Sequence, residues 1–419
     1  MKYQKTIIIP IHYGITKHKL DKLNRLTARI AYGIQLISAL IDDDIKLDRK
    51  TIRALVADSD IVAKTGLSAG YIQQCIDKVI WSWKSYKKLH KDWQKQVASA
   101  EKRDNDKWLT KLMKREPSPP TFADQKVSCR IDVRTGRVEH NKTSKLTTLW
   151  LRLSTLVNGM RMNIPLSPSH YHLLQLKDAK LCDFELIKKG AKFYAHVSIS
   201  KEVESNEVSS IGGLDQGLNH SAGIVLLPLD GSSPYEKLFV RDTEKQALLQ
   251  KYDDLIAGLQ AAGDWHKLRQ LRHKRESIAI HFDWIMANVV ANATEGALLA
   301  IGDTNFRQTQ YKGNEMPKLR KRIGKWSYAR QRNFITLKRM EHGDETVLKN
   351  ERGTSIECSE CHSKMTKRKW LANGSSYILC WLCGNKKDAD INAAHNIALR
   401  CRDDWLKGGM NMEKTHASC

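Results

Sequence analysis

The sequence predicts a mixed α/β protein: an α/β region over its second half, interrupted by a four-cysteine metal ribbon, and before it a β-rich region holding an inserted helical block. Three observations predict this. Two CxxC pairs, Cys358/Cys361 and Cys380/Cys383, stand 18 residues apart. From Ile211 onward, short apolar runs alternate with helical stretches. Between residues 18 and 95, two long stripes of apolar residues recur at helical spacing. At 419 residues the chain can form two to four domains with more than one core.

Residues 1–13 read as a strand with Pro10 near its end. Residues 18–41 read as a helix, because Leu20, Leu23, Leu26, Ile30, Ile34, Ile37 and Leu40 share one face. Ser68 is a candidate cap for a second long helix with the stripe Ile72, Ile76, Val79, Trp83, Tyr86 and Trp93. Lys84, Lys87, Lys88, Lys91 and Lys95 cover its other faces. A third, charged helix is expected over about 98–115, and Pro117-Ser-Pro-Pro120 stops it. Residues 121–208 change to short alternating stretches, such as Val127 to Val133 and Phe193 to Ser198. Turn signals at Thr135-Gly136 and Lys189-Gly190 separate them.

Ile211 to Leu214 and Ser221 to Leu227 read as strands. Residues 243–298 read as a helical hairpin broken near Gly263, followed by a strand at Leu298 to Ile301. Residues 312–339 are dense in basic charge, Val347-Leu348 suggests another strand, and 391–400 reads as a helix.

Seventy Lys plus Arg against 46 Asp plus Glu leave a net charge of +24. A folded chain with that surplus repels itself unless a polyanion binds it, and nucleic acid is the first candidate. An anionic membrane is the second, but no apolar run approaches the ~20 residues that span a bilayer. The opening residues lack the apolar stretch and cleavage site of a secretion signal, so a cytoplasmic, nucleoid-associated protein is expected. Nine cysteines, five of them scattered, argue against a disulfide framework.

Each CxxC can sit on a tight turn that aims two thiolates at one point, and two such turns make a closed tetrahedral site. Cys358, Cys361, Cys380 and Cys383 are therefore expected to hold a structural zinc. Lys364, Lys367, Arg368 and Lys369 decorate the loop between the pairs, which suits contact with nucleic acid or plain solvation.

Carboxylates form the second constellation. Asp215 ends an apolar strand among glycines, in Gly212-Gly-Leu-Asp215-Gln-Gly217. Open backbone beside an acid suits a divalent metal that must also touch a phosphate; a solvated turn aspartate is the bland reading. Asp388 and Asp390 precede a helix directly after the ribbon, so either one caps that helix or one is a metal ligand. A third acid is expected at a strand end, and both Asp303 and Glu351 qualify. Carboxylates converging on one point can hold a pair of Mg²⁺ ions, which activate water against a phosphodiester.

Together these motifs resemble TnpB, the transposon-encoded RNA-guided nuclease, and its relatives the type V CRISPR effectors and Fanzor proteins. The resemblance runs over roughly 211–400: strand-Asp215, a long helical section, Asp303, Asn350-Glu351-Arg352, the ribbon, then Asp390-Ile-Asn392-Ala-Ala394. It implies a RuvC-like (RNase H fold) nuclease domain at 209–355 and 386–405, with a target nucleic-acid-binding zinc ribbon at 356–385 inserted. It also implies a wedge-like β domain at 1–14 and 117–208, a helical recognition domain at 15–116, and a tail at 406–419. Many members carry Ile-Glu-Asp-Leu-Asn where this chain has Ile301-Gly302-Asp303-Thr304-Asn305. A branch of the family supplies the lost glutamate from an Asn-Glu-Arg before the ribbon, which Asn350-Glu351-Arg352 resembles. The resemblance thus implies Asp215, Glu351 and Asp390 as catalytic Mg²⁺ ligands, with Asp303 the lesser candidate.

The expected function is RNA-guided, Mg²⁺-dependent DNA cleavage, with guide RNA and double-stranded target DNA as partners. Lys84, Lys87, Lys88, Lys91, Lys318, Arg320, Lys321, Arg322, Arg330, Lys367 and Arg368 are the expected nucleic-acid contacts. The competing readings are a nuclease-dead guided repressor, which the altered second motif suggests, and a zinc-ribbon DNA-binding protein without a guide.

Overall fold

The computed structural model describes residues 1–42, 44–122, 127–141, 143–217, 220–241, 243–271, 273–303, 323–371 and 375–407. The chain forms two compact units: one is Gln4–Lys201, the other Glu202–Cys419 with Met1–Tyr3.

In the first unit, strand β1 (Lys2–Pro10) alternates buried and exposed residues, as one face on a core requires. Helix α1 (Lys17–Ala39) follows, capped by Thr16 Oγ1 accepting from the Lys19 amide. Two short helices then appear that periodicity over 42–67 did not reveal: α2 (Arg49–Ala57), capped by Asp48, and α3 (Ile61–Thr65). Helix α4 (Ala69–Glu101) starts after Ser68. The expected 98–115 helix divides here: α4 runs on to Glu101, and α5 (Asp106–Met113) begins after Asn105, whose Oδ1 accepts from the Trp108 amide. The Trp93 indole N–H donates to Leu112 O, which folds α5 back on α4.

Strands β2 (Cys129–Ile131), β3 (Gly136–His140), β4 (Leu149–Ser154) and β5 (Arg161–Pro165), helix α6 (His170–Leu176), and strands β6 (Lys180–Lys189) and β7 (Lys192–Glu202) complete the unit. They make a four-stranded sheet, β1-β7-β6-β2, and a three-stranded sheet, β3-β4-β5. One apolar core joins Ile7, Ile34, Ile76, Leu151 and Val197.

The second unit centres on a five-stranded sheet of β8 (Ser210–Asp215), β9 (His220–Pro228), β10 (Tyr235–Arg241), β11 (Ala297–Gly302) and β12 (Thr346–Lys349), in the order β10-β9-β8-β11-β12. Strands β8, β9 and β10 pair antiparallel, while β11 and β12 run parallel to β8. Helices α7 (Thr243–Ala261), α8 (Trp265–Leu271), α9 (Lys274–Ala293) and α10 (Tyr328–His342) lie between strands, and α11 (Ala389–Leu406) follows the ribbon. The ribbon contributes β13 (Thr366–Trp370), β14 (Ser376–Cys380) and β15 (Lys386–Asp388).

Helices cover both faces of the five-stranded sheet, which explains why every residue of β11 is buried. On one face Leu214, Leu299 and Ile301 pack with Met286, Val290 and Ile335. On the other, Ile211, Ala300 and Val225 meet Ile397, Ala394 and Ala398 of α11. Gly213 is required at that contact: a Cβ there would overlap Ala394 O and fall 2.6 Å from the Ala398 amide.

Candidate functional site

The three parallel strands end side by side, and open α/β sheets bind ligands at such carboxyl ends. Asp215 is the last residue of β8. Gly302 is the last residue of β11 and pairs with Lys349, the last of β12. Glu351 lies two residues beyond that pair. Asp390 arrives from the other direction, in the first turn of α11. Asp215 pairs with Gly223 of β9, and a Cβ at Gly223 would lie 3.6 Å from the Cβ of Asp390. Asp390 therefore stands over the Asp215–Gly223 pair.

Glu351 occupies a specific place. A Cβ at Gly302 would overlap Glu351 Oε2 and lie 3.3 Å from Glu351 Cβ. The glutamate reaches back into the volume that a side chain on the end of β11 would fill. Burial raises the Asp215 carboxyl well above the ordinary value, and the charges of Asp390, Glu351 and Asp388 add to the rise, while Arg368 opposes it. Arg368 on β13 has Nη2 3.8 Å from Asp390 Oδ1, and its guanidinium lies 4.7 Å from the centre of the Trp370 ring. The acids thus form one electrostatic group, yet a looser one than the cysteines. Among the described residues, the four thiols are the one set of three or more donors lying within 4.8 Å of one another.

The other two acids are engaged elsewhere. Asp388 is the helix cap: its Oδ1 accepts from the amides of Asp390 and Ile391. Asp303 turns to solvent, its side chain 53% exposed and accepting from Arg332 Nη1 at 2.8 Å.

The cysteine cluster is built from two equivalent turns. Cys358 N donates to Ser363 O and His362 N to Cys358 O; likewise Cys380 N donates to Asn385 O and Gly384 N to Cys380 O. His362 and Gly384 hold the same left-handed position, with φ of 57° and 70°. Across the turns, Cys361 and Cys380 Sγ are 3.5 Å apart, and Cys358 and Cys383 Sγ 3.7 Å. Zinc–sulfur bonds of about 2.3 Å in a tetrahedron put sulfurs roughly 3.8 Å apart, so the four donors fit such an ion. The amide of Cys383 is the main cause that lowers the Cys380 thiol to about 7, against desolvation. His362 points away, its imidazole 59% exposed beside Glu357.

The expected nucleic-acid contacts divide. Lys84, Lys88 and Lys91 are exposed on α4, and Lys87 is half-buried there. Lys367 and Arg368 lie on β13. Arg330 Nε donates to Asp283, a fully buried carboxylate that also binds Lys245, Ser327 and Gln331. Lys318, Arg320, Lys321 and Arg322 lie outside the described residues. Sequence reasoning passed over the exposed apolar side chains of the ribbon, Met365, Trp370, Trp381 and Leu382. It also passed over Asn396 and Arg400, which bind the backbone around Glu351. Their helical spacing from Asn392 is visible in the sequence, but nothing there marks what they bind.

Residues 328–397, which span α10, β12, the ribbon and the start of α11, match the family model described as the Cas12f1-like TNB domain. In fold, 91% of the chain matches 83% of the protein in a cryo-EM structure of a Cas12f1–sgRNA–target DNA complex, with a TM-score of 0.53 and 14% identity. Over residues 328–397 the chain is thus similar to that domain, and its fold is similar to that of the Cas12f1 protein. A cryo-EM structure of CasPhi-2 (Cas12j) bound to crRNA also aligns, over 95% of this chain and 98% of that one, with a TM-score of 0.45 and 10% identity. No curated protein matches the chain by sequence. No helix among the described residues is long and apolar enough to cross a membrane.

Proposed function

We propose that the chain is an RNA-guided DNA endonuclease with a RuvC-like active site formed by Asp215, Glu351 and Asp390. The observation that carries this reading is the position of Glu351, whose carboxylate fills the side-chain space of Gly302 beside Asp215. A chain that kept only the scaffold has no reason to refill that space with an acid from another loop. This weighs against the nuclease-dead reading, whose support was the glycine at 302.

The donor set fits hard divalent cations: all oxygen, at least three acids, and no closure around a single point. Bound there, two Mg²⁺ ions supply a water of lowered pKa and neutralise charge on a phosphodiester. The chain's own residues do the rest. Asp215 ends β8, Glu351 reaches back from the loop beyond β12, Asp390 closes the site from α11, and Arg368 lies at its rim within reach of a phosphate. The four thiols hold a structural zinc, with no position left open for chemistry.

The net charge of +24 supports polyanionic partners, which we take to be a guide RNA and double-stranded target DNA. The Cas12f1 structure that the fold matches is itself a complex with sgRNA and target DNA. We assign residues 1–14 and 117–208 to a wedge-like domain and 15–116 to a recognition domain. Exposed Lys84, Lys88 and Lys91 would lie along the nucleic-acid backbone, and exposed Trp370 and Trp381 on the ribbon suit stacking on unpaired bases. A cytoplasmic setting agrees with thiols kept reduced for a metal.

The test is cleavage of a target plasmid by the protein purified with its native RNA, in Mg²⁺. Wild type should cut, Asp215→Ala and Glu351→Ala should not, and Asp303→Ala should still cut. Loss with Asp303→Ala but not with Glu351→Ala would exchange their roles. Target binding without cutting by wild type would make the protein a guided binder.

A further inference from the structure

A glutamate at the end of β11 would be oriented by the sheet itself. Glu351 lacks that support, because it sits in the loop beyond β12, after the last paired residue. Something else must hold it, since a metal-binding carboxylate that wanders binds weakly. One stripe of α11, at steps of four residues, captures the backbone around it. Arg400 Nη1 donates to the carbonyls of Asn350 at 2.9 Å and Arg352 at 3.1 Å, the residues flanking Glu351. Its Nη2 donates to Glu357 Oε2 at 3.0 Å. Asn396 Nδ2 donates to Thr354 O at 2.9 Å and Glu357 O at 2.7 Å. Asn392 Nδ2 donates to the same two carbonyls, and its Oδ1 accepts from the amide of Ser359, next to Cys358. Asn392 and Asn396 are 0% and 2% exposed. Inside the loop, the Thr354 hydroxyl and amide both donate to Glu351 O, at 2.9 and 3.1 Å.

We propose that Asn396 and Arg400 are positioning residues that hold Glu351 in the place of a β11 side chain, and that Asn392 ties this hold to the first turn of the ribbon. The inference rests on the carboxylate site proposed above. The stripe compensates for moving the acid off the strand: three side chains on a rigid helix fix a loop whose own residues pair with no strand there. Partners of this outer kind typically change metal affinity or activity by about 10–100-fold.

The experiment uses the full-length protein and Mn²⁺ as the probe. Mn²⁺ bound to wild type but not to Glu351→Gln, counted by electron paramagnetic resonance of the free ion, defines the site. Asn396→Asp keeps the shape and removes the donor. Arg400→Ala removes the flanking contacts from a side chain that is 33% exposed, so it serves if the buried change prevents folding. Both variants should weaken Mn²⁺ at that site by roughly ten-fold or more. They should raise the Mg²⁺ concentration for half-maximal cleavage with target affinity unchanged, and Arg400→Lys should recover part of the loss. Wild-type Mn²⁺ affinity in both variants would overturn the positioning role and leave the carboxylate site standing. Equal Mn²⁺ binding by wild type and Glu351→Gln would remove the site itself, and this inference with it.

Discussion

The two candidate metal sites of the second unit are built on opposite principles. The cysteine site takes its donors from two turns within one short stretch, 358–383, and the turns repeat each other bond for bond. Its thiols already lie at the spacing an ion would impose. The carboxylate site takes Asp215 from a strand end, Glu351 from a loop and Asp390 from a helix, across a span of 175 residues (390 − 215). Burial, with the repulsion of the neighbouring acids added to it, makes Asp215 hold its proton to a higher pH. A closed site assembled locally can complete itself. An open site assembled from distant elements stores repulsion that only a cation relieves, and it depends on packing for its shape.

Removing an acid should have the largest effect. Asp215→Ala and Glu351→Ala are expected to lower the cleavage rate by at least about 10³-fold while leaving target binding within about two-fold, measured by rate and by filter binding. Removing the metal proposed for the ribbon comes next. Asn392 bonds both the first cysteine turn and the Glu351 loop, so chelation with a strong zinc ligand should melt the ribbon and lower cleavage about 10–100-fold even in excess Mg²⁺. Cleavage that survives with the ribbon stripped would mean the two sites are independent.

The same contrast governs what the sequence disclosed. The cysteine site was legible because its spacing is its geometry: CxxC makes the turn, and two turns make the site. Asp215 was legible as an acid ending an apolar strand, and the covered sheet around it reads as short apolar runs. The choice between Asp303 and Glu351 was not legible from residues alone, since both follow a strand. It depends on a parallel pairing, Gly302 with Lys349, that no local pattern records, and only the family resemblance favoured Glu351. Nor was α10, where the apolar stripe is thin and the basic residues dominate; buried Arg339 holds it through the carbonyls of Thr294, Ala297 and Glu345. The pair α2 and α3 was missed because helices that short show barely two turns of pattern.

Exchanging the glutamate's origin sharpens the comparison further. Gly302→Glu alone should destabilise the metal-free protein only modestly, because the flexible end of Glu351 can shift but two carboxylates then share one space. Combined with Glu351→Ala the overlap disappears and the acid returns to β11. The double variant is expected to cut at about a tenth of the wild-type rate or better, well above Glu351→Ala alone. A double variant as dead as the single one would show that Glu351 does more than fill that space.

The smallest effect is on stability and fixes the sign of the repulsion. The Asp215 carboxyl is raised in the folded protein relative to the unfolded chain, so the fold binds this proton more tightly. Stability then falls as pH rises from the ordinary carboxylate range through the raised value, and above it the whole penalty is present. Asp215→Asn removes the penalty. In metal-free protein it should raise the melting temperature at neutral pH by roughly 2–4 °C for about 1 kcal/mol, with the gain vanishing near pH 4. Mg²⁺ should reverse the order, raising the melting temperature of wild type and leaving the variant nearly unmoved. A gain that stayed constant with pH would trace to packing rather than charge, and the contrast between a self-completed site and a cation-starved one would lose its electrostatic basis.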